Sequence, residues 1–247
     1  MKFNRSVSVA KTCLLLIFLI VLLSGCLYRE AVQKEGSAAY REGVQRVQLA
    51  VDQYQSDHDI LPLITPSEDT PKYEKYRVDL SLLQKQGYLE SIPQAAFENG
   101  GSVYFLIQNE EADPVIKVMD LITVQYVNDI EKLVAKYRDR HDGALPVSQE
   151  DAVLPDGLHP LDLQLAGGQK YALTSVYSGQ NLGYLVDEEG RVYVDYAPDL
   201  MQVVEKTGYT PGPSSDFREM LTEQSYFVPV KSLPYFWQDE RPIPQPE

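Results

Sequence analysis

The stretch Val44-Gln45-Arg46-Val47-Gln48-Leu49-Ala50-Val51-Asp52-Gln53-Tyr54-Gln55-Ser56-Asp57-His58-Asp59 decides the fold, because its pattern occurs twice. Val44, Val47, Val51, Tyr54 and His58 return 83 residues later as Val127, Ile130, Val134, Tyr137 and His141, and Asp59 returns as Asp142. Steps of three and four residues put each set on one face of a helix. Both helices are expected to stop alike, at Leu61-Pro62 and, one residue later in register, at Leu145-Pro146, because proline disfavours the α conformation in the residue before it. A constant offset over this many positions is the mark of an internal repeat.

Outward from the first helix, Thr65 to Pro71 is a loop, and Leu80, Leu82, Leu83 and Leu89 around Gly87-Tyr88 predict a short helix capped by Gly87 and a turn at Pro93. Val103–Ile107 and Val115–Met119 read as strands joined by a loop from Gln108 to Pro114. The second copy ends alike: Tyr184–Val186 and Arg191–Val194 flank Asp187-Glu188-Glu189-Gly190, with glycine where a positive φ is needed. Tyr171–Tyr177 is predicted as a third strand of that sheet. Each module is thus a long helix on a small antiparallel sheet, the α+β class. The expected divisions are 1–25, a lipoprotein signal peptide; 26–39, a partly helical tether; 40–121 and 122–197, the two modules; and 198–247, a C-terminal extension. That extension should begin with a short helix near Leu200–Lys206. It ends in an aromatic cluster before Arg241-Pro242-Ile243-Pro244, which reads as too rich in proline to close a regular element.

The N-terminus reads as an address. Lys2, Arg5 and Lys11 precede an apolar run, Cys13 to Leu23, well short of the ~20 residues that span a bilayer. Leu23-Ser24-Gly25-Cys26 resembles the lipobox of bacterial lipoprotein signal peptides. The resemblance implies a diacylglyceryl group on Cys26, which becomes the first mature residue, and a cell-membrane, lipid-anchored, extracytoplasmic location. Two acyl chains make a durable anchor where one would not. The 247-residue chain carries 22 basic and 36 acidic residues; cleavage before Cys26 removes three basic residues and no acidic one, leaving 19 against 36, a balance of −17. Such a surface disfavours nucleic acid as a partner. With Cys13 discarded and Cys26 lipidated no thiol remains, which excludes disulfides, thiolate zinc and cysteine nucleophiles together.

Tyr54, Leu61-Pro62, Gly87-Tyr88-Leu89 and Pro93 give the first copy a resemblance to the globular part of a type II secretion or competence pseudopilin. The Gly-Phe-Thr-Leu-x-Glu segment that pilins use for filament assembly is absent, so the likeness implies a shape and not a filament subunit. Over its whole length the chain resembles the YphF-like lipoproteins of spore-forming Gram-positive bacteria. Some members carry a transporter-binding-protein label, and the resemblance supplies no catalytic residue.

Candidate chemistry is sparse. His58-Asp59 and His141-Asp142 could serve metal or acid–base work, but a histidine at a helix C-terminus followed by a turn-forming aspartate is explained by the helix dipole and the turn. His159, between Leu158 and Pro160, reads as a loop residue. Glu110-Glu111-Ala112-Asp113 and Asp187-Glu188-Glu189 invite calcium, yet lack the alternating order of a dedicated loop and read as solvated hairpin tips. No Gly-x-Ser-x-Gly, phosphate-cradling glycine loop or His-Glu-x-x-His occurs. No catalytic residue, cofactor or metal is therefore expected. The candidate contact surface is Tyr226, Phe227, Tyr235, Phe236 and Trp237, with a strap packed over the second module as the alternative reading. The expected function is non-enzymatic contact with an envelope protein or the cell wall. The rival is a solute-binding lipoprotein of an ABC importer, which would need two βαβ lobes.

Overall fold

Helix α1, described over residues 40–58, carries Val47 and Val51 fully buried and Val44 and Tyr54 nearly so, as its three- and four-residue spacing requires. The computed structural model describes residues 40–148, 154–209, 212 and 214–246. The expected signal peptide, Cys26, the expected tether and part of Thr210–Pro213 lie outside them. A four-stranded antiparallel sheet follows α1, in the order β1 (Leu63–Ile64), β2 (Arg77–Val78), β3 (Val103–Gln108), β4 (Val115–Asp120), with helix α2 (Leu80–Lys85) after β2. The β3–β4 register pairs Phe105 with Val118 and Ile107 with Ile116, so these four share one face. Gly43 lies over that face: a Cβ there would stand 3.2 Å from the Phe105 ring.

β4 runs into helix α3 (Leu121–Arg140) without a linker, because Asp120 both ends the strand and caps the helix, accepting from Ile122 N, Thr123 N and Thr123 Oγ1. Val127, Ile130 and Val134 are fully buried on the second sheet, in the order β5 (Leu158–Pro160), β8 (Tyr184–Asp187), β9 (Val192–Val194). Its third strand is therefore β5. The predicted strand Tyr171–Tyr177 contributes only β6 (Leu173–Thr174), which pairs with β7 (Asn181–Leu182) in a ribbon of its own. The repeat extends to backbone detail. Asp79 N donates to Pro62 O and Asp162 N to Pro146 O, both at 2.8 Å, and each aspartate then caps a turn, through Leu82 N in one copy and Gln164 N in the other. Val147 bridges Leu161 where β1 pairs β2.

After helix α4 (Ala197–Thr207) and helix α5 (Glu219–Gln224), the chain closes with a hairpin, β10 (Tyr235–Gln238) and β11 (Arg241–Pro244). The Pro-rich end does form a regular element. Pro242 and Pro244 are two apart, so both nitrogens can turn away from β10, as proline on an edge strand requires. Asp239 and Glu240, at φ 48° and 62°, supply the two positive angles of a tight hairpin turn.

The extension joins the modules. Val118 N donates to Tyr226 O at 2.7 Å and Val228 N to Val118 O at 3.0 Å, so the extension pairs parallel with β4; Val194 N then donates to Lys231 O at 2.8 Å, reaching β9. Side chains follow the backbone. Val228 and Val230 cover Leu106 and Met119 on the outer face of the first sheet, Leu233 covers Leu158 and Leu185 on the second, and Tyr235 enters the core around α3 and α4. Contacts divide the chain only at Glu42 and Gly43, so both modules and the extension belong to one unit.

Candidate functional site

His58 and His141 repeat a structural arrangement. Each ring packs on the tyrosine one turn earlier, Tyr54 at 4.4 Å and Tyr137 at 3.9 Å, and the aspartate after each takes a positive φ, 57° at Asp59 and 52° at Asp142. His141 Nδ1 hydrogen-bonds Tyr137 O at 2.8 Å, whereas His58 Nε2 meets Tyr88 Oη at 3.1 Å. Tyr88 donates onward to Asp57 at 2.9 Å, and that bond raises its pKa. His159 is in β5, opposite Val186, and not in a loop.

The two acidic clusters differ from one another. Glu111 and Asp113 are exposed as expected of a loop tip, but Asp187 is 6% exposed. It accepts from Arg191 N at 2.8 Å, Arg191 Nε at 2.6 Å and Tyr193 Oη at 3.1 Å, and so closes the β8–β9 turn. Among the described residues no group of three His, Cys, Asp or Glu side chains could hold a metal ion.

The aromatic cluster is divided. Tyr235 is fully buried, while Tyr226, Phe227, Phe236 and Trp237 are half-buried, Trp237 lying edge-on to Phe217 at 5.4 Å. Tyr235 is thus a core residue, because its ring fills the space between α3, α4 and α5 and its hydroxyl finds partners there.

What the structure does bring together is a cleft of about 270 Å³ where the first module, the second sheet and the extension meet. Lys72 and Tyr73, from the loop before β2, face Arg191 and Tyr193 of the second module and Lys231 and Leu233 of the extension. Its charges are matched internally: Lys72 to Glu219 at 2.9 Å, Arg191 to Asp187, Lys231 to Glu74 at 3.6 Å. Arg218, 5% exposed, holds Asp216 through Nε and Nη2, donates to Ser232 O at 2.8 Å and stacks over Tyr73 at 4.9 Å. Burial raises the pKa of Tyr73, and burial with the Asp187 charge pushes Tyr193 up to about 12. Sequence reasoning missed this cleft. Its walls come from positions more than 100 residues apart, and no spacing rule links the basic residues that the extension brings to it, Arg218 and Lys231, to the first module.

Residues 40–120 match the YphF family N-terminal domain, which places a YphF-type domain over the first module and ends at Asp120, the cap of α3. No curated protein and no solved structure matches the chain.

Proposed function

We propose that this chain is an extracytoplasmic lipoprotein, held on the cell membrane through Cys26, that works by contact and not by turnover. The observation that carries the anchor is Leu23-Ser24-Gly25-Cys26 behind a basic and short apolar segment. Contact is supported by the cleft. Residues from both modules and the extension converge there, and its ionic groups bind one another, which presents a pre-organised surface of tyrosine and paired charge. The partner class is another envelope protein.

The importer reading draws on the cleft's size and its place between modules, within reach of a small solute. Against it stand the antiparallel sheets on either side and the extension that pairs with both.

In cells, Cys26→Ser should abolish incorporation of labelled fatty acid and leave precursor; undiminished labelling would overturn the anchor. A photo-crosslinker at Lys72 or Arg191 should capture an envelope protein that the same group at Lys136, exposed on α3, does not. Equal capture at all three would remove the cleft as the contact surface. Tight binding of a small solute to the purified chain, lost on blocking the cleft, would favour the importer reading instead.

A further inference from the structure

Charge in the cleft between the modules is paired, but its two signs are not equally accessible. Lys72, Arg191, Arg218 and Lys231, four of the chain's 22 basic residues, line it against the carboxylates of Glu74, Glu131 and Asp187. The carboxylates are turned into the protein. Asp187 is spent on Arg191 and Tyr193, Glu131 Oε1 accepts from Val192 N at 3.1 Å, and Glu74 Oε1 is enclosed without a hydrogen-bond partner. Of the cations, Arg218 is withdrawn in the same way, its guanidinium serving Asp216 and Ser232 O. The other three reach outward. The Arg191 side chain is 61% exposed against 9% for Asp187, and that of Lys231 25% against 16% for Glu74. Lys72, half exposed, is paired with Glu219, which is no part of the cleft wall.

These three cations also keep donors in hand. Lys231 Nζ stands 3.6 Å from Glu74 Oε1, an ion-pair distance beyond hydrogen-bond length, so its N–H groups are not used there. Arg191 commits Nε to Asp187 at 2.6 Å, whereas its Nη2 meets Glu189 only at 3.4 Å. Lys72 gives one N–H to Glu219 at 2.9 Å, and an ion pair between two half-exposed side chains contributes little and exchanges readily. What the cleft offers an incoming group is therefore positively charged donors, which suit a carboxylate. Beside them lie Pro71, Val192, Pro229 and Leu233, apolar surface for the residues next to it.

Size and charge decide between a free anion and a protein segment. The cleft's volume of about 270 Å³ falls just short of the ~300–1,000 Å³ of sites that enclose small molecules, and is suited to side chains presented from outside. The chain as a whole carries a formal charge of −14, which repels free anions from solution. A partner that adds apolar contacts around its carboxylate offsets that repulsion.

Building on the contact reading, we propose that the cleft seats an acidic segment of the envelope partner: an aspartate or glutamate flanked by apolar residues. Its carboxylate lies among Lys72, Arg191 and Lys231 and takes Lys72 from Glu219, while the flanking side chains cover the proline and aliphatic wall.

Random peptides displayed on phage, selected at low salt on the full chain immobilised in detergent, supply the probe. Recovered sequences should be rich in Asp and Glu next to apolar residues. A synthetic copy of the tightest should bind Lys72→Gln or Lys231→Gln at least tenfold more weakly than wild type, the loss of a charge-assisted hydrogen bond, and Lys136→Gln equally well. Should Lys231→Gln fail to fold, Lys72→Gln, at a half-exposed position, decides. No recovered peptide, recovered peptides without an excess of acidic residues, or equal binding by the cleft variants and wild type overturns the acidic segment. Partner capture by the crosslinker at Lys72 or Arg191 alongside any of these results leaves the contact reading standing and removes only this one. Glutarate that displaces the peptide at an equal concentration overturns docking in favour of a free solute.

Discussion

Gln48 and Glu131, 83 residues apart, perform one task in the two modules: each carries a side-chain oxygen from its long helix to the last strand of its sheet. Gln48 Oε1 accepts from Ile116 N in β4 at 2.8 Å, and Glu131 Oε1 accepts from Val192 N in β9 at 3.1 Å. An edge N–H that would otherwise face outward is satisfied from within the module. Gln48 does more, since its amide also donates to Asp52 Oδ1 and Pro114 O.

Removing either oxygen should therefore cost about 1–3 kcal/mol, the range for an unsatisfied backbone donor. Glu131→Leu should lower the urea midpoint of unfolding, whereas Glu131→Gln, which installs the residue used by the first copy, should leave it nearly unchanged. Equal loss in both variants would show that the charge, and not the acceptor, matters.

This pair also marks what the sequence could and could not reveal. The apolar stripes from Val44 and Val127 repeat with helical spacing and specify burial directly, whereas both helices end before the expected Leu-Pro, at His58 and Arg140, where Asp59 and Asp142 take positive φ. Gln48 and Glu131 are invisible to a hydrophobic pattern, being polar and unlike. The hairpin at Asp239-Glu240 was hidden because its positive φ angles fall on residues other than glycine or asparagine, and its second strand holds two prolines. The cleft and the pairing of Val118 with the extension depend on contacts across 108 residues, for which no local spacing rule exists.

Val51 and Val134 lie at the centre of the two stripes and are both fully buried. Val51→Asp or Val134→Asp would place an unpaired carboxylate against its sheet, costing several kcal/mol of the roughly 5–15 kcal/mol that holds a domain of this kind. Thermal unfolding of either variant should lose its cooperative transition. Wild-type melting would mean that the helix turns a different face inward.

Gly101 is required for space and not for conformational freedom. A Cβ there would lie 2.1 Å from the backbone oxygen of Ala95, in a turn closed by Gly101 N to Ala96 O at 2.8 Å and Val103 N to Ala95 O at 3.1 Å. Backbone cannot yield as a flexible side chain does, so Gly101→Ala should destabilise by about 3 kcal/mol or more. Alanine at Gly183, where a Cβ meets nothing, is the control and should be tolerated on steric grounds. Similar urea midpoints for the two variants would contradict the clash.

The extension should behave as part of the core, not as a detachable arm. Deleting 226–247 uncovers Leu106 and Met119 on one sheet and Leu158 and Leu185 on the other, and leaves Val118 N and Val194 N without the carbonyls that accept from them. Tyr235 alone is fully buried and bonded at its hydroxyl to Asp195 and Tyr196, so Tyr235→Ala should cost about 3–5 kcal/mol, as for other large core rings. Tyr235→Phe keeps the ring and orphans those two partners, for a smaller loss of about 1–3 kcal/mol. Trp237→Ala, at a half-buried position, should fall below Tyr235→Ala. Urea unfolding of the series should therefore rank the deletion as most damaging, then Tyr235→Ala, with Tyr235→Phe and Trp237→Ala milder. A truncated chain that melts like wild type would return the aromatic cluster to the surface and reopen it as a contact site.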